Sequence, residues 1–196
     1  MPRAWSQTRV LQIGTLLYSL CVLGAIPQRS MPQPALPFVE KDVCPGEFCV
    51  YGTWTAQKAV PVFDTWQPNR HRIAQVAQKQ NIVARTGLVV TSKPGTIRMD
   101  RDLPEQSLRK GEIIFTYTYR GEGFSAVWFR GRFYPDFDIS FAKWPDGFGC
   151  GGAHCAATYT DLGDKTWWVE IVLSDGKVGW VDATRGSFNM HIKEAQ

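Results

Sequence analysis

Residues 167–181 read Trp-Trp-Val-Glu-Ile-Val-Leu-Ser-Asp-Gly-Lys-Val-Gly-Trp-Val and carry the strongest structural signal in the chain. β-branched and aromatic residues fill both ends of this stretch, which is the composition of β-strands. Asp175-Gly176 lies between them and favours a tight turn, because glycine accepts a positive φ at no steric cost. The stretch therefore predicts a β-hairpin.

Upstream, residues 113–119 alternate in a way that is typical of a strand with one buried or ligand-binding face. With strict alternation, Phe115, Tyr117 and Tyr119 share that face. Residues 127–134 place Gly131 between two aromatic strand ends, which predicts a second, shorter hairpin.

No long stretch shows helical periodicity, so the sequence predicts an all-β fold. Residues 136–166 are rich in Gly, Asp and aromatic residues and have poor periodicity. A stretch of that length without strands is uncommon inside a domain, so we expect local order held by a disulfide, or an inserted excursion.

The hairpin at 167–181, with its Gly179-Trp180-Val181 ending, resembles the closing strands of bacterial SH3-like (SH3b) domains. Residues 59–63, 73–77 and 82–87 are similar to the opening strands of that family. Members of the family have only a short connection between these two halves. The resemblance implies a small SH3-like barrel with a Gly- and aromatic-rich insertion, or two fused SH3-like units.

The chain divides into a leader, a linker, a folded part and a tail. The expected boundaries are 1–26 for a signal peptide, 27–42 for a proline-rich linker, 43–187 for the SH3-like domain (43–100 and 108–187 if there are two units) and 188–196 for a polar tail.

The leader has Arg3 and Arg9, no acid, and an apolar run at 10–26, which is typical of a secretory signal peptide. Cleavage is expected after Gly24 or Ala25, and an uncleaved membrane anchor is the alternative. A lipid on Cys21 is disfavoured because the preceding Leu20 is bulky. These features predict export, to the periplasm or outside the cell.

Four cysteines follow the leader, in two pairs that each enclose four residues. An even count in an exported chain favours disulfides, and a four-thiolate metal site is the alternative. Loop-closure entropy favours bridges between the two pairs, whereas proximity favours bridges within them. We expect the local bridges Cys44–Cys49 and Cys150–Cys155.

The formal net charge is +4, of which the leader contributes two charges. The basic clusters 70–72 and 130–132 are too short to follow a phosphate backbone. The sequence therefore predicts no nucleic-acid partner, and contact with a membrane only through an uncleaved leader.

None of the three histidines, His71, His154 and His191, has a recognisable catalytic setting, and no cofactor motif is present. The SH3b resemblance implies a non-catalytic binding module whose ligand is a protein, a peptide or a cell-envelope polymer. The alternatives are an envelope hydrolase that uses a cysteine nucleophile or paired acids, and a structural subunit of an envelope complex. The candidate ligand-binding residues are Tyr117, Tyr119, Trp128 and Trp167, which could form an aromatic groove for a proline-rich peptide or a sugar face.

Overall fold

The computed structural model of the protein describes residues 31–46, 49–145, 149–184 and 186–190. The expected signal peptide, Cys21 and the last six residues, with His191, lie outside the described residues. Within the described ranges the chain is all-β, as the sequence predicts, and forms two curled sheets. None of the helical segments in these ranges could cross a membrane, since the two present are single 3-10 turns.

Fourteen strands make up the described part of the chain. In chain order they are β1 Phe38–Lys41, β2 Gly52–Ala56, β3 Val60–Phe63, β4 Arg72–Val76, β5 Asn81–Lys93, β6 Gly95–Met99, β7 Ile113–Gly121, β8 Phe124–Phe129, β9 Arg132–Asp138, β10 Ala142–Lys143, β11 Ala157–Asp161, β12 Asp164–Val172, β13 Val178–Asp182 and β14 Phe188–Met190.

The first sheet, sheet A, has the strand order β14-β2-β5-β12-β13-β3-β4, with β1 paired to β5 beside β2. The predicted hairpin at its centre is present, and Val169 of β12 lies opposite Val181 of β13. The inward side chains of both strands join a core that includes Trp54, Val62 and Ile171. Alternation and turn chemistry therefore suffice to predict this hairpin.

The second sheet, sheet B, has the order β10-β11-β6-β7-β8-β9 and its own core, built around Ile97, Ile114 and Val127. Its strands follow one another between β5 and β12, so the whole sheet is inserted between two paired strands of sheet A. Asp164 at the start of β12 lies opposite Lys93 at the end of β5. The two ends of the insertion therefore meet.

Two segments expected to lie outside the folded part belong to sheet A. Phe38–Lys41, placed in the linker, forms β1, and its Val39 pairs with Val90 of β5. Phe188–Met190, placed in the polar tail, pairs with β2. Both segments carry apolar side chains that gain burial when they pair with an exposed strand edge. Proline content and overall polarity do not indicate this pairing.

The four cysteines of the described region form two local disulfides. Cys44 is bonded to Cys49 and Cys150 to Cys155, with Cα separations of 5.5 and 5.2 Å. These are the local bridges that proximity predicts. The second bridge closes part of the Gly-rich stretch at 136–166, which also contains β10, β11 and a 3-10 turn.

Candidate functional site

Four aromatic rings from neighbouring strands share one face of sheet B. Phe115 of β7 lies opposite Trp128 of β8, which in turn lies opposite Phe133 of β9. Tyr117 follows two residues after Phe115 and packs edge-on against Phe133, with 5.9 Å between ring centroids. We call this surface the aromatic face: Phe115, Tyr117, Trp128 and Phe133.

Tight turns in the β7–β8–β9 meander bring these rings together. The β8–β9 turn consists of Arg130 and Gly131, both with positive φ, which matches the right-handed twist of a two-residue hairpin. Alternation then sends Ile114 and Val127 into the sheet B core and their neighbours Phe115 and Trp128 to the opposite face. The aromatic face is thus the outer side of the sheet.

A β-bulge in β7 divides the tyrosines that the sequence placed on one face. Thr116 lies opposite Val127, whereas Tyr119 lies opposite Ser125, so β7 has one extra residue between them. The extra residue turns Tyr119 to the side of Thr116, which is opposite to the aromatic face. The prediction that Tyr117 and Tyr119 share a face is therefore wrong, because strict alternation does not hold through the bulge.

The chain's own proline-rich segment, residues 31–37, runs over the aromatic face, and we call it the N-terminal strap. The Met31 N–H donates a hydrogen bond of 2.7 Å to the carbonyl of Gly131. Gln33 Nε2 donates a 3.1 Å bond to the Tyr117 hydroxyl. The strap therefore crosses the face from the β8–β9 turn towards Tyr117.

Phe38, directly after the strap, anchors it between two rings of the face. Its ring centroid lies 5.0 Å from that of Tyr117 and 5.5 Å from that of Phe133. Beyond Phe38 the chain pairs with β5, and Glu40 forms an ion pair with Arg120. Strap and β1 together connect the two sheets.

Contacts of the strap itself are few and shallow. Met31 and Leu36 are about half exposed, and most of its other residues are also exposed. Tyr117 beneath it has no exposed surface. The strap thus contacts the aromatic face at Tyr117 and belongs to neither core.

Two polar groups on the aromatic face, the Tyr117 hydroxyl and the Trp128 indole N–H, are available for hydrogen bonds to a ligand. Burial raises the pKa of the Tyr117 hydroxyl, and the bond from Gln33 only partly offsets this. This hydroxyl is therefore neutral at physiological pH. The indole N–H of Trp128 is buried and has no acceptor among the described residues. Buried donors nearly always have partners, so this N–H marks a position where an acceptor would be stabilising.

The four residues proposed from the sequence do not form one groove. Tyr117 and Trp128 lie on the aromatic face, and Tyr119 lines a cavity between the sheets that Tyr117 also borders. Trp167 belongs to sheet A, where it borders a pocket of about 200 Å³ and packs against Trp54, with 5.6 Å between the ring centroids. Phe115 and Phe133 were not among the candidate binding residues, although alternation within β7 placed Phe115 on the face of Tyr117 and pairing across the β8–β9 turn brings Phe133 opposite Trp128.

An open cleft of about 620 Å³ lies between the first disulfide loop and the turn that joins β7 to β8. Arg120, Glu122 and Asp136 line it together with both cysteines of that loop. Its lining is more polar than that of the aromatic face, and it lacks a comparable set of rings.

The disulfides and the metal-binding side chains limit the chemistry available in the described ranges. Cys44, Cys49, Cys150 and Cys155 are all oxidised, and a disulfide sulfur is not a thiolate nucleophile. Among the described residues no three His, Cys, Asp or Glu side chains converge on a possible metal position.

No family model, curated protein or solved structure matches this chain.

Proposed function

We propose that the protein is an exported, non-catalytic SH3-like binding module whose aromatic face holds an extended, proline-containing peptide. One observation carries the proposal: a segment of this chemistry, the chain's own strap, is seated on that face. It reaches a main-chain carbonyl through Met31 and a tyrosine hydroxyl through Gln33, and Phe38 fills the space between two rings.

The physical basis is the low entropy of proline-rich chains. Proline fixes φ and favours an extended conformation, so such a segment loses little freedom when it binds. It also leaves main-chain carbonyls unpaired, and these accept hydrogen bonds from indole and hydroxyl groups. Aromatic rings give flat apolar contact to the pyrrolidine rings between them.

The strap is an incomplete ligand for this face. It leaves the Trp128 N–H without an acceptor, and two hydrogen bonds hold residues 31–37 to sheet B within the described chain. A peptide that places a carbonyl near Trp128 would gain a hydrogen bond worth about 1 kcal/mol. Such a peptide would bind in place of the strap, which then acts as an internal competitor.

Two further features support the proposal. Both disulfides are compatible with an oxidising compartment and hence with export. The strands in sheet A that resemble the SH3b family pair with one another as closing and opening strands, with Trp180 of β13 opposite Phe63 of β3. A cysteine-dependent hydrolase is not proposed, because the described cysteines are oxidised.

A cell-envelope polymer is the other ligand class that the sequence suggests, since aromatic rings also stack on sugar faces. The described residues contain a peptide segment, the strap, that contacts the aromatic face, and they offer no comparable observation for a sugar. We therefore place the peptide first and use the polymer as a second arm of the test.

The test compares the protein from Ile26 onward with a variant that lacks residues 31–37. A synthetic peptide with the sequence of residues 31–37 and a scrambled version are titrated into both proteins by calorimetry. The ordered peptide should bind the deletion variant at least about tenfold more tightly than the intact protein, because the competing strap is absent. The scrambled peptide should bind neither.

Variants and polymer binding complete this design. Trp128→Ala in the deletion variant should abolish peptide binding, while Trp180→Ala on sheet A is the matched control and should not. Equal affinity of the ordered and scrambled peptides would refute the proposal. So would binding of isolated envelope polymer without any peptide binding, which would transfer the function to the other ligand class.

A further inference from the structure

A small cavity with aromatic walls lies at the junction of the two sheets and shares one lining residue, Tyr117, with the aromatic face. Its volume is about 150 Å³. The ring of Trp144 lies 4.8 Å from that of Tyr159 and 5.7 Å from that of Tyr119, measured between centroids. We call it the junction cavity, and its lining residues supply three kinds of group: these rings, the hydroxyls of Thr116 and Ser125, and the amine of Lys165.

The hydroxyl groups at the junction cavity stay protonated. Burial raises the pKa of Tyr159 to about 12, and the neighbouring hydroxyls of Thr116 and Ser125 only partly counter it. At physiological pH the cavity therefore offers neutral hydroxyls and ring surfaces, and its one ionisable cation is Lys165.

Lys165 has no carboxylate partner in the described part of the chain. Its ammonium donates to the carbonyl of Leu162, which also lines the cavity. Asp161, whose charge acts on this amine, is already occupied: one carboxylate oxygen pairs with Lys93 and the other accepts the Gly163 N–H at 2.8 Å. The amine is thus a partly buried cation that lacks a direct counter-ion.

We propose that the junction cavity binds a small carboxylate whose body is about the size of one six-membered ring, with Lys165 as its counter-ion. An apolar cavity of about 150 Å³ accommodates benzene, so a body of that size fits between the rings. The carboxylate of the ligand would form the direct ion pair that the Lys165 ammonium lacks. Its ligand and its counter-ion differ from those of the peptide site, with which it shares Tyr117.

Charge and size distinguish a monocarboxylate from other ligands. A cation would be repelled by Lys165, and a dianion would leave one charge unpaired in a largely apolar space. A neutral ring compound would fill the same volume but would leave the amine unpaired. Discrimination between a carboxylate and its neutral analogue therefore measures the role of Lys165 directly.

The experiment titrates benzoate and its neutral analogue benzamide into the protein from Ile26 onward, with tryptophan fluorescence and calorimetry as readouts. Benzoate should bind at least about tenfold more tightly than benzamide at pH 7. Lys165→Met should remove this preference and leave the affinity for benzamide largely unchanged. Lys177→Met, which changes an exposed lysine in the β12–β13 turn, is the matched control and should behave like the wild type.

The pH dependence gives a readout that does not require a variant. The charged and titratable groups around Lys165 are Asp161, Asp164, Tyr117, Tyr119 and Tyr159. Burial lowers the pKa of Lys165 to about 8, against the partial opposition of the two aspartates. Affinity for benzoate should be constant from pH 6 to about 7.5 and should fall about tenfold per unit above pH 8, as the amine loses its proton.

Three results would overturn the proposal: no preference for benzoate over benzamide, a preference that survives Lys165→Met, or an affinity that does not change between pH 7 and pH 9.5. If near-ultraviolet circular dichroism shows that Lys165→Met does not fold, the pH series on the wild-type protein tests the proposal by itself. These titrations use protein that keeps its strap and contain no added peptide, so their outcomes do not depend on whether the aromatic face binds a peptide.

Discussion

At the scale of single residues, the substitution Trp128→Phe separates the contribution of the Trp128 ring to stability from that of its indole N–H. Phe keeps a ring against Phe115 and removes the unpaired buried donor. We expect Trp128→Phe to change the free energy of unfolding by less than about 1 kcal/mol, because the lost ring area and the removed unsatisfied donor offset each other. Urea unfolding measures this, with Trp180→Phe as the control. A loss above about 3 kcal/mol would mean that the N–H has a partner.

Lys165 gives a second prediction at this scale, because burial lowers its pKa from 10.5 to about 8. Between these values the unfolded chain holds the proton and the folded chain does not, so rising pH favours the folded state. Lys165→Met removes this dependence. We expect the variant to be more stable than the wild type by about 1–3 kcal/mol at pH 7, and the difference to shrink between pH 8 and 10.5.

Chemical unfolding of both proteins from pH 7 to 10.5 measures this difference. Ionisation of tyrosines lowers the stability of both proteins at the upper end, so only the difference between them is informative. A variant that is less stable at pH 7, with a gap that is independent of pH, would show that the amine has a stabilising partner.

At the scale of elements, β1 and the strap should open more easily than the strands beneath them. β1 has four residues, pairs with β5 alone and is partly exposed, whereas β5 is paired on both sides. Hydrogen exchange should therefore be faster at the paired amides of β1 than at those of β12, by a factor of about 100 or more. Equal protection would show that the strap cannot leave the aromatic face by local opening.

Elements defined by alternation and turn chemistry could be predicted from the sequence. The β12–β13 hairpin follows from Asp175-Gly176, and the β8–β9 hairpin from Gly131, because each turn has a strong local preference. The local disulfides follow from the short spacing of the cysteines. In each case the signal lies within a few residues of the element that it predicts.

The rest depends on contacts between residues that are distant in sequence. No residue in β7 marks the bulge that turns Tyr119 away from Tyr117, since the bulge is set by pairing with β8. Phe38 finds its partners Tyr117 and Phe133 far along the chain. Lys165 follows an acid in the sequence and looks like a solvated turn residue, whereas in the fold it lines the junction cavity together with Trp144, which is distant in sequence. The cavity could not be read from the sequence for this reason.

At the scale of the whole molecule, the chain leaves sheet A after β5, forms sheet B, and returns to sheet A at β12. Lys93 and Asp164 face each other where sheet B leaves and rejoins sheet A. We expect that residues 94–163 can be replaced by Asn-Gly, which joins β5 and β12 directly as a hairpin. The shortened protein should retain β circular dichroism and unfold cooperatively in urea. A non-cooperative transition would show that sheet A cannot fold without the insertion.

The central claim, that the aromatic face binds a proline-containing peptide in place of the strap, is tested most directly at the indole of Trp128. The protein from Ile26 onward is labelled with ¹⁵N at its tryptophans, and the Trp128 signal is assigned with Trp128→Phe. Addition of the peptide of residues 31–37 to the variant without these residues should shift the Trp128 indole signal in a saturable manner, while the Trp180 signal stays in place. If the peptide leaves the Trp128 signal unchanged at saturating concentration, the account of this face as a peptide-binding site is wrong.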